Sequence, residues 1–484
     1  MRSVAIQDSE ANLRLRASIS GLADRAPMIS ARTLLSEGQL RFFMGLGVAA
    51  VIGLLISPIK TVIAFTAVVT VLYLLAVTYR FVLFLRSARS DVVVRISDEE
   101  ARAFPDAELP VYTVLIPAFR EPQVINLLIR NIARLEYPAD KLDVKILVEA
   151  DDDETIRAIG RADPGRQFEL VFIPPSDPRT KPKALNYGLG LAKGELVAVY
   201  DAEDIPDPLQ LRRAAIGLRR LGPEVACLQG KLTYHNPTQN IITRWFTLEY
   251  AMWFSYFLPG LAASSAPIPL GGTSNHFRAD ALRRLGGWDP FNVTEDADLG
   301  VRMYREGYTV GVLDSITYEE ANSDFVNWVR QRSRWYKGYL QTFIVHMRSP
   351  RRMVHDLGWK STGHFCVFVG GTPILAILNP LFWLMTLLWF VGQPAIIREL
   401  FPAPVYYMGL ISWAFGNFTL VYLTILSCRL IKRPELIFAA VLVPLYWVMM
   451  SMAAVKAIWQ LFRQPTHWEK TVHGLHEEAR ATAA

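Results

Sequence analysis

The chain has 484 residues, 51% of them apolar, and a formal net charge of +6. Its mean hydropathy of +0.21 is high for a chain that is 20% charged, so the apolar residues must be gathered into blocks. Three cysteines, none at metal-ligand spacing, exclude a disulfide scaffold, and positive-inside membrane topology accounts for most of the excess Lys and Arg without a nucleic-acid partner.

Residues 1–40 form a polar leader with several Arg and few aromatics, expected in the cytosol. It is too long and polar to be the start of a cleaved signal peptide. Residues 42–56 and 61–85 are apolar blocks that read as a membrane hairpin, and Arg80 is the one charge in the second. Arg80, Arg86 and Arg89 near its exit place the charged middle, 90–352, on the cytosolic side. Further apolar blocks at 365–391, 406–427 and 436–461 make 353–463 a second membrane region, with 464–484 a cytosolic tail. Gly370, Gly371 and Pro373 break the first of these blocks. Pro444 allows the last to be a hairpin or a half-inserted segment. The expected location is a bacterial inner membrane, with several crossings and the middle domain in the cytoplasm.

Within 90–352, short β-branched runs at 111–116, 144–148, 169–173 and 196–200 read as buried strands. Residues 124–135 and 184–192 have helical spacing between them. This alternation predicts an α/β domain with a mostly parallel sheet, whose ligands bind beyond the carboxyl ends of the strands. Acidic clusters stand at those ends: Glu149, Asp151, Asp152 and Asp153 after one strand, and Asp201, Glu203 and Asp204 after another. A third, Thr294, Glu295, Asp296 and Asp298, precedes a predicted helix at 299–305. An Asp there can simply cap the helix. Several such clusters, followed by Gln331, Arg334 and Trp335, point instead to a site for a metal and a phosphate.

Arg179, Lys181 and Lys183 lie just before a helix, where the positive helix end and the cations suit a diphosphate. P-loop, dinucleotide-binding and hydrolase-elbow motifs are absent from the sequence. A nucleoside-diphosphate sugar is a poor electrophile until its leaving diphosphate is neutralised. Hard oxygen ligands from Asp201, Glu203 and Asp204 can hold Mg²⁺ or Mn²⁺ for that purpose. A remote carboxylate, Asp296, can take the acceptor's proton. Arg334 can bind the diphosphate in bidentate fashion, and Trp335 can wall the sugar by stacking.

This ordered set resembles glycosyltransferase family 2, in its membrane-embedded branch of cellulose, chitin and hyaluronan synthases. Asp201–Glu203 is similar to that family's D-x-D metal motif, with Glu203 where Asp is usual. Thr294-Glu295-Asp296 is similar to its T-E-D motif and Gln331, Arg334 and Trp335 to its Q-x-x-R-W motif. The resemblance spans 111–348. It implies a glycosyltransferase A-like domain between membrane helices, and an inverting hexosyl transfer from a UDP-sugar with Asp296 as base. It places Pro117, Phe119, Glu121, Glu149 and Asp151 around the uridine and Lys183 on the donor. Gly272 and Ser274 fall in the sugar and acceptor pocket. Trp468 or Thr471 of the tail is expected to gate the site. The implied partners are a glycan or lipid acceptor, membrane lipids and accessory export subunits. Residues 241–261, rich in aromatics, read as an amphipathic helix at the membrane surface. A growing polysaccharide is the first expected product, a glycolipid the second, and an inactive scaffold the third reading.

Overall fold

The computed structural model describes residues 2–392 and 394–469. Its centre is a nine-stranded sheet of β1 (Val93–Val94), β2 (Tyr112–Ala118), β3 (Leu142–Glu149), β4 (Phe168–Ile173), β5 (Leu196–Val199), β6 (Ile205–Pro206), β7 (Val225–Tyr234), β8 (Asn275–Arg278) and β9 (Thr309–Glu319). The order is β1-β9-β7-β8-β5-β2-β3-β4, with β6 on the outside of β9. The four predicted strands are β2 to β5. They lie side by side and parallel, Val114 facing Val144 and Ala198 across the ladder. β8 runs antiparallel between β5 and β7, so the sheet is mixed but mostly parallel.

Strands buried on both faces read as continuous apolar runs, and β2, β3 and β5 do so because helices cover both sides. One core contains Leu115, Leu147, Val197 and Phe277, packed under the helix Lys181–Leu189. The other contains Val114, Ile146, Ala198 and Leu128. Strand direction then brings the carboxyl ends of β2, β3 and β5 to one rim.

Five helices among the described residues are long and apolar enough to cross a membrane: Glu37–Ile56, Pro58–Arg89, Pro350–Gly392, Ala403–Leu430 and Val443–Arg463. Their outer faces leave Phe42, Leu55, Val391 and Phe418 largely exposed, as lipid-facing side chains would be. The run Pro350–Gly392 bends at Gly358, whose φ of 75° breaks the helix, so its apolar part begins after that residue. The last apolar block breaks beside Pro444: a short helix, Ile437–Val441, ends there, and the helix Val443–Arg463 begins with Pro444 in its first turn. Both its ends bond the long helix Phe325–His346 of the sheet domain: Trp328 Nε1 donates to the Tyr446 hydroxyl at 3.2 Å, and Lys337 Nζ to the Gln464 carbonyl at 3.3 Å. It therefore runs along that helix, and its other side packs on the apolar helix Gly371–Gly392.

Two stretches gain a structural role beyond their sequence reading. The leader is a helix, Arg2–Arg25, docked on the sheet domain: Leu22 and Ala23 are buried and Asn186 Nδ2 donates to the Ser18 carbonyl. Leu15 packs on the same core, and the Arg14 guanidinium lies 5.6 Å from the Tyr187 ring. The predicted surface helix, Ile241–Met252 and its continuation, buries Trp245, Phe246, Phe254 and Phe257 against protein. Trp245 Nε1 donates to the Ala439 carbonyl at 2.9 Å. Its aromatic face is thus an internal seam between the sheet domain and the C-terminal helices.

Candidate active site

A cavity of about 510 Å³ opens at the carboxyl rim of the sheet. Pro117 near the end of β2, Phe119 and Glu121 after it, Glu149 at the end of β3, and Asp201 and Glu203 after β5 line it. Opposite them stand Thr294, Glu295 and Asp296 at the start of the helix Glu295–Arg305, and Gln331, Arg334 and Trp335 on the helix Phe325–His346. The clusters that are remote in sequence therefore share one space.

The first turn of the helix Glu295–Arg305 fixes the candidate base. Asp296 Oδ1 accepts the Ala297 N–H at 2.7 Å, and Gly272 makes room for the other oxygen: a Cβ there would lie 3.3 Å from Asp296 Oδ2. Behind it, Asp298 faces away from the cavity. It accepts from Arg302 Nε at 2.7 Å and lies 3.0 Å from His346 Nε2, while Arg302 caps the Leu285 and Gly287 carbonyls. This buried network anchors the helix. Burial raises the pKa of both Glu295 and Asp296; Asp296 raises Glu295 further, while Lys181 and Arg334 hold both down.

Arg334 brings a guanidinium to the cavity. Its guanidinium lies 4.5 Å from the Trp468 ring, and its Nε is buried with no hydrogen-bond partner among the described residues. Thr294 Oγ1 is likewise buried and unpartnered. Both residues line the cavity, where a bound ligand could supply a partner. Trp335 stacks on Tyr250 at 6.2 Å and carries the Arg332 guanidinium on its other contacts, 4.4 Å from the ring.

Several expected site residues stand elsewhere. Asp204 is not among the cavity's lining: its Oδ2 accepts the Asp201 N–H at 2.7 Å and the Thr273 hydroxyl, so it closes the turn that presents Asp201. Ser274 is buried and donates to Thr317 Oγ1 at 2.6 Å. Asp151 lies outside the cavity, held by Arg179 at 2.7 Å. Lys183 is fully buried behind the rim, where it pairs with Glu149 at 2.6 Å and donates to the Ser176 carbonyl. Lys181 takes the place expected for it: Nζ donates to Asp201 and, at 2.7 Å, to the Gly272 carbonyl. Two residues along a helix differ by about 200° in direction, so only one of the two lysines can face the rim, and the sequence does not say which. Thr471 lies outside the described residues. Trp468 lies in the cavity, its segment tied down by Lys337 to the His467 carbonyl at 2.7 Å and by Lys456 to Glu469 at 2.8 Å.

A divalent cation fits the rim residues in part. Among the described residues no cluster of three or more His, Cys, Asp or Glu is arranged to hold one. Asp201 and Glu203 both line the cavity, and Asp201 already holds a cation in the Lys181 ammonium. Two carboxylates plus substrate phosphates are the usual Mg²⁺ arrangement.

Known proteins with similar sequences carry the same kind of activity in their names. The probable glycosyltransferase YdaM of Bacillus subtilis is 29% identical over 54% of this chain and 64% of its own length. A beta-monoglucosyldiacylglycerol synthase of Synechocystis sp. is 28% identical over 52% of each chain. A probable glucomannan 4-beta-mannosyltransferase of Oryza sativa is 28% identical over 49% of this chain and 42% of its own. The match thus spans about half the length of these relatives. Among solved structures, mannosyltransferase PcManGT of Pyrobaculum calidifontis, in complex with GDP-Man and Mn²⁺, aligns with 80% of this chain and 99% of its own at 18% identity and a TM-score of 0.48. The model of glycosyl transferase family group 2 matches residues 196–462, more than half of the sequence and the stretch that holds Asp201, Asp296 and Arg334. The chain belongs to that family.

Proposed function

We propose that the protein is a membrane-bound hexosyltransferase that moves a sugar from a UDP-sugar to a hydroxyl of a lipid held in the bilayer. The observation that carries this is the extent of the cavity. Beyond Asp296 it continues between the helices Pro58–Arg89, Gly371–Gly392 and Ala403–Leu430, where Val77, Leu375, Ala376 and Leu420 form its wall. Aliphatic walls suit a lipid chain, and the acceptor would reach the base from the membrane. With Val443–Arg463 set alongside the sheet domain, the other four helices would return the chain to one face of a bacterial inner membrane, with the sheet domain in the cytoplasm. A growing polysaccharide is the second reading, favoured by Trp253 and Trp447 on the same wall, since sugar rings stack on indoles.

In the proposed reaction Asp296 takes the proton of the acceptor hydroxyl. The acceptor oxygen bonds to the anomeric carbon from the face opposite the diphosphate, which inverts that carbon. The bond to the diphosphate breaks, and the nucleoside diphosphate leaves with the electron pair. Arg334 and Lys181 receive the charge that develops on it. Asp201 and Glu203 would hold Mg²⁺ or Mn²⁺, which when bound neutralises that diphosphate. Pro117, Phe119 and Glu121 would seat the base and Glu149 the ribose side. Label from a panel of UDP- and GDP-sugars should appear in the organic-solvent extract of membranes. Label confined to a water-soluble or insoluble polymer would establish the second reading.

Two further outcomes are expected. The base must be ionised, and burial sets its pKa above the ordinary Asp range near ~4. Transfer should therefore fall as pH drops through a value above that range. A kcat/KM profile still flat at about pH 4 contradicts the assignment of the base. Trp468→Ala removes the ring beside Arg334. Loss of a cation–π contact should raise the donor KM about 2- to 30-fold. An unchanged KM would make the tail a bystander.

A further inference from the structure

The membrane wall of the cavity contains a charge that the reaction above leaves unused. Arg80 stands in the helix Pro58–Arg89 and lines the same cavity as Asp296. At ~1.5 Å per residue the helix sets it about 9 Å back from Arg86, deeper in the apolar layer than the basic residues at the helix end. Its hydrogen bond goes to Thr372 Oγ1 at 3.5 Å, the far limit of such a contact. Among the described residues it forms no ion pair. Glu249, an acid on the same wall, is already engaged: Arg332 grips both its oxygens, one at 2.8 Å, and the Tyr446 hydroxyl donates to it at 2.8 Å. Tyr73 and Asn379, also on this wall, bond to each other. A guanidinium among membrane helices that forms no ion pair is a candidate site for an anion.

We propose that Arg80 binds the phosphate of the acceptor, so that the acceptor is an anionic, phosphate-bearing lipid. This rests on reading the cavity as the acceptor site. The planar guanidinium matches a phosphate in bidentate fashion, which a neutral glycan or a neutral diacylglycerol cannot exploit. Held there, the phosphate is drawn below the headgroup layer, the acyl chains lie against Val77 and Leu375, and the headgroup hydroxyl is left for Asp296. A free phosphate offers the same chemistry without the chains.

The test is binding, without donor or turnover. Purified full-length protein is incubated with equal amounts of phosphatidylglycerol and diacylglycerol, and the retained lipid is counted by native mass spectrometry. The wild-type protein is expected to retain phosphatidylglycerol about tenfold or more over diacylglycerol, the factor of one charge-assisted hydrogen bond. Arg80→Gln should lose that preference while still binding UDP, and Arg80→Lys should keep part of it. Equal retention of the two lipids by the wild-type protein overturns the proposal even if the Gln variant does not fold. A preference that survives in a folded Arg80→Gln protein overturns it as well. Displacement of phosphatidylglycerol by an equal concentration of inorganic phosphate would assign the site to free phosphate and overturn the lipid. Absence of sugar transfer would sink the functional reading and leave this binding result standing by itself.

Discussion

Asp296→Asn should lower the rate of sugar transfer by about 10²- to 10⁴-fold, the contribution of a positioned general base. Asn has the same shape, and its side-chain oxygen can still accept the Ala297 N–H that Asp296 Oδ1 accepts now. Gly272 leaves room for the other branch of the side chain. What is lost is the ability to take a proton. Glu295 cannot replace it readily, because burial raises its own pKa and keeps it protonated more of the time. The residues proposed to seat the nucleotide, Pro117, Phe119 and Glu121, lie across the cavity from Asp296, so UDP affinity should stay near the wild-type value. Initial rates with labelled donor, beside UDP binding by calorimetry, make the check. If affinity falls as far as the rate, Asp296 serves the donor and another group is the base.

Gly300→Ala should be strongly damaging for a single added methyl group. Gly300 lies one turn after Asp296 in the helix Glu295–Arg305, pressed against the backbone of the loop that leads to Gly271 and Gly272. An added Cβ would fall inside the Ile268 carbonyl oxygen and 3.1 Å from the Leu270 nitrogen. Both are backbone atoms of buried residues, so no side chain can turn away. Overpacking typically costs about 1–3 kcal/mol, and a clash with backbone should exceed that. The helix would have to shift, and Asp296 with it. Less folded protein and a lower kcat in what remains are expected, read by thermal unfolding in detergent and by specific activity. Gly160→Ala is the control: nothing lies within 4 Å of the added Cβ, and Ala should stabilise that helix slightly. Equal behaviour of the two variants would mean that the contact at Gly300 does not hold the site.

The sequence showed the parallel half of the sheet and concealed the rest, for a physical reason. β2, β3 and β5 are buried on both faces, and β4 lies against them, so these strands announce themselves as apolar runs closed by charged loops. β8, with Asn275 and His276 buried, breaks that pattern: its polar side chains lie inside the fold against distant partners, His276 Nδ1 standing 2.8 Å from the Tyr112 hydroxyl. Partners so distant in sequence leave no local mark. The same limit governs the site. The acidic clusters were visible because carboxylates at strand ends are unusual, but which oxygen reaches the cavity depends on the turn. Asp201 and Glu203 face it, whereas Asp204 folds back on Asp201. Lys181 and Lys183 are separated by helix phase alone. Arg80 read as a topology signal near the end of an apolar block; only its placement beside Thr372, on the wall shared with Asp296, gives it a chemical role.

The central claim is that one cavity joins the nucleotide-sugar rim to the space between the membrane helices. A photo-reactive benzoylphenylalanine at Leu420, on the membrane wall, tests it most directly. Membranes are supplied with labelled donor sugar, allowed to turn over, and irradiated. The sugar label should become covalently attached to the protein. Attachment should disappear with Asp296→Asn and be far weaker with the probe at Trp359, an outward-facing residue that is 81% exposed. Full turnover with no label trapped at position 420 would show that the product leaves by another route, and the shared cavity would not be the path of the acceptor.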